Sequence, residues 1–457
     1  MFKRIKHIHF VGIGGIGMSG IAQVLLNMGY TISGSDMKKS EIAKSLINLG
    51  AKIRFYHKRE NIEGADVVVY SQAIDLNNPE IIAAKEKKIP VIPRAEMLAE
   101  LMRLKYSVAV SGTHGKTTTT SMTASVLTNG GLDPTIVVGG KITTLGSNAK
   151  LGKGEYLVAE ADESDGSFLK LNPTISVITN IDNDHLDYYN NIGRIRDAFV
   201  NFANKVPFYG CVILCADDVN VQLILPKIIK KIITYGINGN SDIKAYNINL
   251  SDKGSSFSIK AFGKNLGEIN LKVLGMHNVE NALAAVAVGL ELNISFKNIK
   301  SALEQFLGTG RRLEIIGEKR DVLVMDDYAH HPTEIKATLF AIKSLNRKRI
   351  IAIFQPHRFT RTKFLFYELS EAFYGADEVI ITDIYPAGEK EIKGVSSRLI
   401  FDCLKEKNYA KAKYIREKSE IIDYLLKGCP RITSGDLVIT FGAGDIRKVA
   451  ELLYSKL

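Results

Sequence analysis

Twice before residue 120, a short run of β-branched and small apolar residues ends in glycines and passes straight into a helical pattern. The first is IHFVGIGGIGMSG, from Ile8, and the second is SVAVSGTHGKTTTT, from Ser107. A strand that turns within a few residues into a helix needs backbone freedom at the turn, which glycine supplies. That connection belongs to parallel βα units, and in open parallel sheets ligands bind beyond the carboxyl ends of the strands. The chain is therefore expected to be an α/β protein with ligand sites at such strand ends.

The same texture continues. Strand-like runs at Val67–Ser71, Tyr156–Asp162, Ile175–Asp182 and GCVILCAD alternate with helical patterns. Between Ile243 and Leu274 the pattern changes to polar–apolar alternation with small turns, as in an antiparallel patch. Helical patterns return in VENALAAVAVGLEL and IKSALEQF. A last unit starts near GTGRRLE, with strands VLVMDD, RIIAIFQ, EVIITDI and DLVITFGAG. A chain of 457 residues is too long for one core. The breaks in pattern predict three α/β domains in series, over residues 1–106, 107–310 and 311–457.

Composition removes several classes. No run of about 18 uncharged apolar residues exists, so no membrane helix is expected. The N-terminal MFKRIKHIHFVGIGG reads as a first strand and not as a signal peptide. Four cysteines (Cys211, Cys215, Cys403 and Cys429) are few for the length, and free thiols in a reducing cytoplasm are the expected state. Lys plus Arg outnumber Asp plus Glu by 60 to 49, a net +11. The basic residues are spread along the chain without a basic tail or an aromatic-studded stripe, which favours acidic small-molecule substrates over nucleic acid.

The first loop, Gly12-Ile-Gly14-Gly15-Ile-Gly17, fits G-x-G-x-x-G, with Asp36 at the end of a second strand, TISGSD. Its literal reading is a nicotinamide dinucleotide site, but any diphosphate-bearing nucleotide can use the same glycine turn and helix amides. The second loop is a P-loop in its essentials. It offers Gly112, Gly115 and helix amides for phosphates, Lys116 for β/γ charge and Thr117 for a metal-bound hydroxyl, although Val110 stands where the first glycine of the full motif belongs. Two acidic strand ends follow, Glu160-Ala-Asp162-Glu163-Ser-Asp165 and Asp182-Asn183-Asp184-His185-Leu-Asp187. Glu160 and His185 are expected to face the phosphates, and Asp165 and Asp187 to be solvated turn acids. Six of nine histidines fall in motifs, including Gly275-Met-His277-Asn278-Val-Glu-Asn281, Tyr328-Ala-His330-His331-Pro332 and Pro356-His357-Arg358-Phe-Thr-Arg361. Arg358 and Arg361 can present guanidinium forks to one carboxylate or phosphate. Adjacent histidines on a turn diverge, so His330 and His331 read as one substrate contact and one capping residue.

GTHGKTTT, EADESD, TNIDNDHLD, HNVENALAA, DDYAHHPTE and PHRFTRT, in this order, resemble the Mur ligase family over essentially the whole chain. The resemblance implies a Rossmann-like N-terminal domain, a P-loop α/β central domain and a Rossmann-like C-terminal domain. It implies ATP-dependent, ADP-forming amide synthesis with ATP and Mg²⁺, and the N-terminal VGIGGIGMSG points to the branch that adds L-alanine to UDP-N-acetylmuramate. Gly12, Gly14, Gly15, Gly17, Asp36 and Ser71 would then hold the UDP substrate. Gly112, Thr113, His114, Gly115, Lys116, Thr117, Thr118, Asn278, Asn281 and Arg312 would hold ATP. Thr117, Glu160 and His185 would hold the metal, with Lys116, Glu160 and His185 as the catalytic set. Tyr328, His330, Arg358 and Arg361 would hold the amino acid. A monomer or weak dimer in the cytoplasm is implied, without nucleic acid or membrane insertion. A tripeptide-recycling ligase of the same family is the close alternative. A nicotinamide dehydrogenase or a P-loop switch protein would leave half of these motifs without a task.

Overall fold

The computed structural model describes residues 5–142, 147–407, 411–428 and 431–457. Cys429 and the first four residues lie outside that set. Three sheets follow one another along the chain, each flanked by helices.

The first sheet has five parallel strands in the order Lys52–Arg54, Thr31–Ser35, His7–Val11, Val67–Tyr70 and Val91–Pro93. Strand order reverses beside His7–Val11, so the crevice of the sheet opens where the first glycine loop begins. Gly12 takes φ +81°, and a Cβ there would press on Ser71 and Ile74. The helix Ile16–Asn27 then leaves the loop. Its buried side packs on its own sheet, while Gly20 lets it approach Val137 and Ala149 of the second domain. Asn148 Nδ2 donates to Ile16 O at 2.6 Å across the same seam. One apolar cluster consequently runs from Ile8 and Phe10 through Leu25 and Val137 to Phe199, so the first two domains share a core.

The second sheet has ten strands. Its centre is Ile175–Ile178, Tyr106–Ser111 and Tyr156–Glu160, parallel and adjacent, which sets three motif-bearing strand ends side by side. The antiparallel patch expected after Ile243 is present as Ile243–Ser251, Gly254–Ala261 and Lys264–Leu271 along one edge. Cys211 and Cys215 lie in the fully buried strand Cys211–Cys215 as free thiols, and burial pushes both up to about 12.

The third sheet runs Glu314–Lys319, Val322–Asp327, Asp436–Phe441, Arg349–Phe354, Glu378–Ile381 and Ala412–Tyr414, antiparallel only at its first strand. The strands Val322–Asp327 and Arg349–Phe354, which lead into the two C-terminal motifs, both flank Asp436–Phe441. Two apolar clusters, one on each face, belong to this domain alone. No helix among the described residues is long and apolar enough to cross a membrane.

The three histidines outside the motifs meet between the first sheet and the helix Pro79–Glu86. Fully buried Glu80 accepts from Ser35 Oγ at 2.6 Å and Asn61 Nδ2 at 2.7 Å, and contacts His9 Nε2 at 3.1 Å and His57 Nδ1 at 3.3 Å. His7 and His9 both reach Ser33 Oγ at 2.7 Å. Burial pushes the Glu80 carboxyl up, but His9, Ser35 and Asn61 bring it below its ordinary value. Removing a buried carboxylate strands all its donors at a cost of about 3 kcal/mol or more. Glu80→Ala is therefore expected to destabilise the first domain by that amount in urea unfolding. Hydrogen exchange should rise in His7–Val11 and Thr31–Ser35 while the C-terminal sheet stays protected. A loss under about 1 kcal/mol would mean that the network is dispensable.

Candidate active site

Glycine is forced at two places in the phosphate loop. Gly112 has φ +130° and Gly115 φ +80°, and a Cβ on either would overlap Thr179 Oγ1 or Asn281 Oδ1. The segment after Ile175–Ile178 pins the loop. Asn180 Oδ1 accepts from His114 N at 2.8 Å, Asn180 O accepts from Thr113 N at 3.1 Å, and Thr179 Oγ1 donates to His114 O at 2.6 Å. Val110, at the position of the missing first glycine, is a buried strand residue. No side chain caps the helix Lys116–Asn129, which leaves its first turn available to an anion.

A cleft of about 860 Å³ opens beside this loop, between the helix Met276–Glu291 and the start of the C-terminal domain. His114, Gly115, Thr117, Thr118, Asn278, Asn281 and Arg312 line it; Gly112, Thr113 and Lys116 do not. Asn278 donates to Leu274 O at 2.8 Å, and Asn281 bridges Asn278 Oδ1 at 3.1 Å to Thr119 Oγ1 at 3.0 Å. Lys116 Nζ turns to Glu163 Oε1 at 2.8 Å. Burial pushes the Glu163 carboxyl up, to about 7, against the pull of that ammonium. Thr117 Oγ1 donates to Glu160 Oε2 at 3.0 Å, which also accepts from Gly139 N at 2.8 Å.

The acids after the neighbouring strand link the domains. Asp182 Oδ2 accepts from Thr333 Oγ1 at 2.6 Å and lies 3.0 Å from His114 Nε2. Asp184 grips the Arg361 fork at 3.1 and 3.0 Å. Although burial opposes it, Arg361 holds the Asp184 carboxyl well below its ordinary value. His185, at φ +56°, places Nε2 3.9 Å from Glu163 Oε1. Asp187 is exposed as expected. Asp165 is not solvated: it is half-buried, with Oδ2 enclosed. Its other oxygen accepts from Ser167 N at 2.9 Å, closing the turn.

Tyr328, His330 and His357 gather next to Arg361. The His330 ring lies 5.6 Å from both the Tyr328 and His357 rings, and Arg361 Nη1 lies 3.3 Å from His357 Nδ1. Burial first, then Arg361, lowers His330 to about 3, so it is neutral. The two arginines do not form the joint fork that their spacing suggests. Arg361 is buried on Asp184, whereas the Arg358 side chain is 39% exposed, 4.0 Å from Glu389, with a strained φ of +71°. His331 caps the helix Pro332–Ile342, accepting from Thr333 N at 3.3 Å.

At the first glycine loop, Asp36 Oδ2 accepts from Gly14 N at 2.9 Å, and a Cβ on Gly14 would lie 2.8 Å from that oxygen. A Cβ on Gly17 would meet Arg94, whose Nη2 reaches 3.6 Å from Asp162 Oδ2 in the second domain.

Two donor sets invite a metal. Thr117 and Glu160 offer hard oxygens side by side, which suits Mg²⁺, and His185 stands beside Glu163. The second set, His114, Asp182 and His331, has ligand atoms within 4.8 Å of one another. The turn thus brings His114 and Asp182 near the capping residue His331. Burial lowers the His114 pKa, but Asp182 at 3.0 Å and Glu334 at 3.5 Å raise it to about 9, so a metal here would have to displace a firmly held proton. Sequence reasoning assigned no role to Glu163, Asp182, Asp184 or Glu334. Their only signal was position just past a strand or at the start of a helix.

Comparison with known proteins covers the three domains in turn. Residues 7–106 match the Mur ligase family catalytic domain, 110–289 the Mur ligase middle domain, and 311–444 the Mur ligase glutamate ligase domain. The UDP-N-acetylmuramate–L-alanine ligase of Geotalea uraniireducens is 53% identical over 100% of this chain and 99% of its own. That of Endomicrobium trichonymphae is also 53% identical, over 99% of each. Among solved structures, the UDP-N-acetylmuramate–alanine ligase of Thermotoga maritima superposes with a TM-score of 0.83 at 31% identity, covering 99% of both chains. The murein peptide ligase of Psychrobacter arcticus gives 0.73 at 26% identity over 98% of both.

The His114 cluster is expected to make closure of the C-terminal domain pH-dependent. Glu334 and His331 from that domain and Asp182 from the central one surround the ring. Asp182 lies in the same domain as His114 and stays with it on opening, so it is loss of the Glu334 carboxylate that makes the open-form pKa lower than the closed-form value of about 9. The contribution to closure is therefore complete below the open-form pKa and lost as pH rises through about 9. Energy transfer between dyes on the central and C-terminal domains should report opening between about pH 7.5 and 10, and His114→Gln should flatten that profile. An unchanged profile in the variant would place the titrating group elsewhere.

Proposed function

The chain belongs to the Mur ligase family and is a carbon–nitrogen ligase of peptidoglycan synthesis that joins L-alanine to UDP-N-acetylmuramate; we propose that it does so through an acyl phosphate formed at the phosphate loop, with Mg²⁺. ATP serves as the phosphoryl donor, as the family requires. The observation that carries the mechanism is the Asp184–His185 pair. On one side His185 neighbours Glu163, the partner of Lys116; on the other, Asp184 holds Arg361 of the C-terminal motif. Phosphoryl transfer and amine attack can thus share one small volume.

A carboxylate is a poor acylating agent. The lactyl carboxylate of the acceptor attacks the γ-phosphorus and ADP leaves. The alanine amine then attacks the acyl carbon and phosphate leaves. Both partners in the first step are anions, so positive charge held in place lowers the barrier. Lys116 and the uncapped amides of Lys116–Asn129 supply it. Asn278, Asn281 and Arg312 line the cleft where the rest of ATP would lie. Mg²⁺ bound at Thr117 and Glu160, with His185 nearby, would neutralise phosphate oxygens. The first glycine loop, with Asp36 and Ser71, would take the UDP diphosphate. For alanine, Arg358 is the freer cation, because Arg361 can reach a substrate only by sharing its fork with Asp184. Tyr328 and neutral His330 border that place. Residues 1–106, 107–310 and 311–457 would form three working parts, acting as a monomer or weak dimer in the cytoplasm. The tripeptide-recycling alternative is not favoured, since its structural counterpart is less similar in both sequence and fold.

Phosphate release with ATP, Mg²⁺, UDP-N-acetylmuramate and each of the twenty amino acids, with a tripeptide assayed beside them, is expected to single out L-alanine; preference for the tripeptide would restore the alternative. Lys116→Ala should abolish ADP formation with little change in UDP-substrate affinity, and turnover within a few-fold of wild type would exclude the phosphate-loop assignment. Arg358→Ala removes a charge-assisted hydrogen bond worth about 1.5–3 kcal/mol, so kcat/KM for alanine should fall roughly 10- to 100-fold. Acyl phosphate trapped in the absence of alanine should persist. Equal loss of trapping would move Arg358 to the phosphoryl site.

A further inference from the structure

The ammonium of Lys116 has three protons, and each has an acceptor inside the protein: Gly112 O at 2.6 Å, Thr113 O at 3.1 Å and Glu163 Oε1 at 2.8 Å. Lys116 is also missing from the walls of the cleft that His114, Gly115 and Thr117 line around it. Glu163 is 1% exposed, and its Oε2 is enclosed with no hydrogen-bond partner among the described residues. Its backbone is held as well, because Tyr189 Oη donates to Glu163 O at 2.5 Å. A half-satisfied carboxylate in such a place is costly. Closing the strand end does not account for it, since Asp162 and Asp165 make the turn's side-chain bonds.

We propose that Glu163 is a positioning residue that holds Lys116 back from the phosphate site until the γ-phosphate of ATP takes its place. The lysine then exchanges one enclosed anion for another, and Glu163 is left facing His185 at 3.9 Å. This deepens the phosphate-loop reading and rests on Lys116 being the phosphate-binding lysine. A lysine withdrawn about 90% of the time weakens apparent ATP affinity about 10-fold.

The test is ATP binding by calorimetry to the full chain without UDP-N-acetylmuramate. Glu163→Gln should tighten ATP about 10-fold, and in a Lys116→Ala background the same change should do nothing, because the pair is already broken. Unchanged or weaker ATP binding in a Glu163→Gln protein of normal melting temperature would overturn the proposal. So would equal tightening in the Lys116→Ala background, which would make Glu163 a source of general repulsion. If the Gln variant does not fold, Glu163→Asp, which withdraws the carboxylate by one methylene, is judged by the same outcomes. If Lys116→Ala leaves ATP affinity untouched, it is the phosphate-loop reading that has failed.

Discussion

The arrangement of the whole site depends on where the chain goes after the strand Ile175–Ile178. Asn180 and Thr179 clamp the backbone of the phosphate loop, and Asp182 and Asp184 reach out to Thr333 and Arg361 of the C-terminal domain. One short segment therefore fixes the shape of the glycine loop at Gly112–Gly115 and the position of the C-terminal domain. The parallel pairing of Ile175–Ile178 with Tyr106–Ser111 makes this possible, because it sets the carboxyl ends of the two strands side by side. A strand inserted between them would part Asn180 and Thr179 from the loop they clamp.

Cations in this centre are matched almost one for one. Lys116 has Glu163, Arg361 has Asp184, Arg312 has Glu334, and His114 has Asp182 and Glu334. Positive groups so close would repel one another and would be costly to bury alone. The +11 net charge of the chain therefore does not describe the site. An anion bound at this centre would meet a neutralised set of cations and would have to compete with resident carboxylates.

Part of this was legible in the sequence because local sterics wrote it there. Gly112 and Gly115 are glycine since a Cβ would collide with Thr179 and Asn281, and Gly14 since one would crowd Asp36, so the loops announce themselves. Strand and helix periods gave the three α/β units, and the alternation after Ile243 gave the antiparallel edge. The carboxylate partners had no such signature. Glu163 pairs across 47 positions and Asp184 across 177, and within EADESD or DNDHLD each acid has the same local character as its neighbours. Which one is buried is decided by tertiary packing. Arg358 and Arg361 show the same limit: helical spacing suggested a shared fork, but the distant Asp184 captured one of them.

The first two domains share an apolar cluster, while the third keeps its clusters to itself. Ala341 against Gly275 is a small exception. The chain crosses between them through Gly308, Arg311 and Leu313, all at positive φ. Swinging the third domain away would wet ion pairs but little hydrocarbon. Since heat-capacity change follows apolar area, that motion should carry almost none. The enthalpy of opening would then stay constant with temperature, and the balance between open and closed forms would follow a straight van't Hoff line instead of the curved profile of a hydrophobic interface.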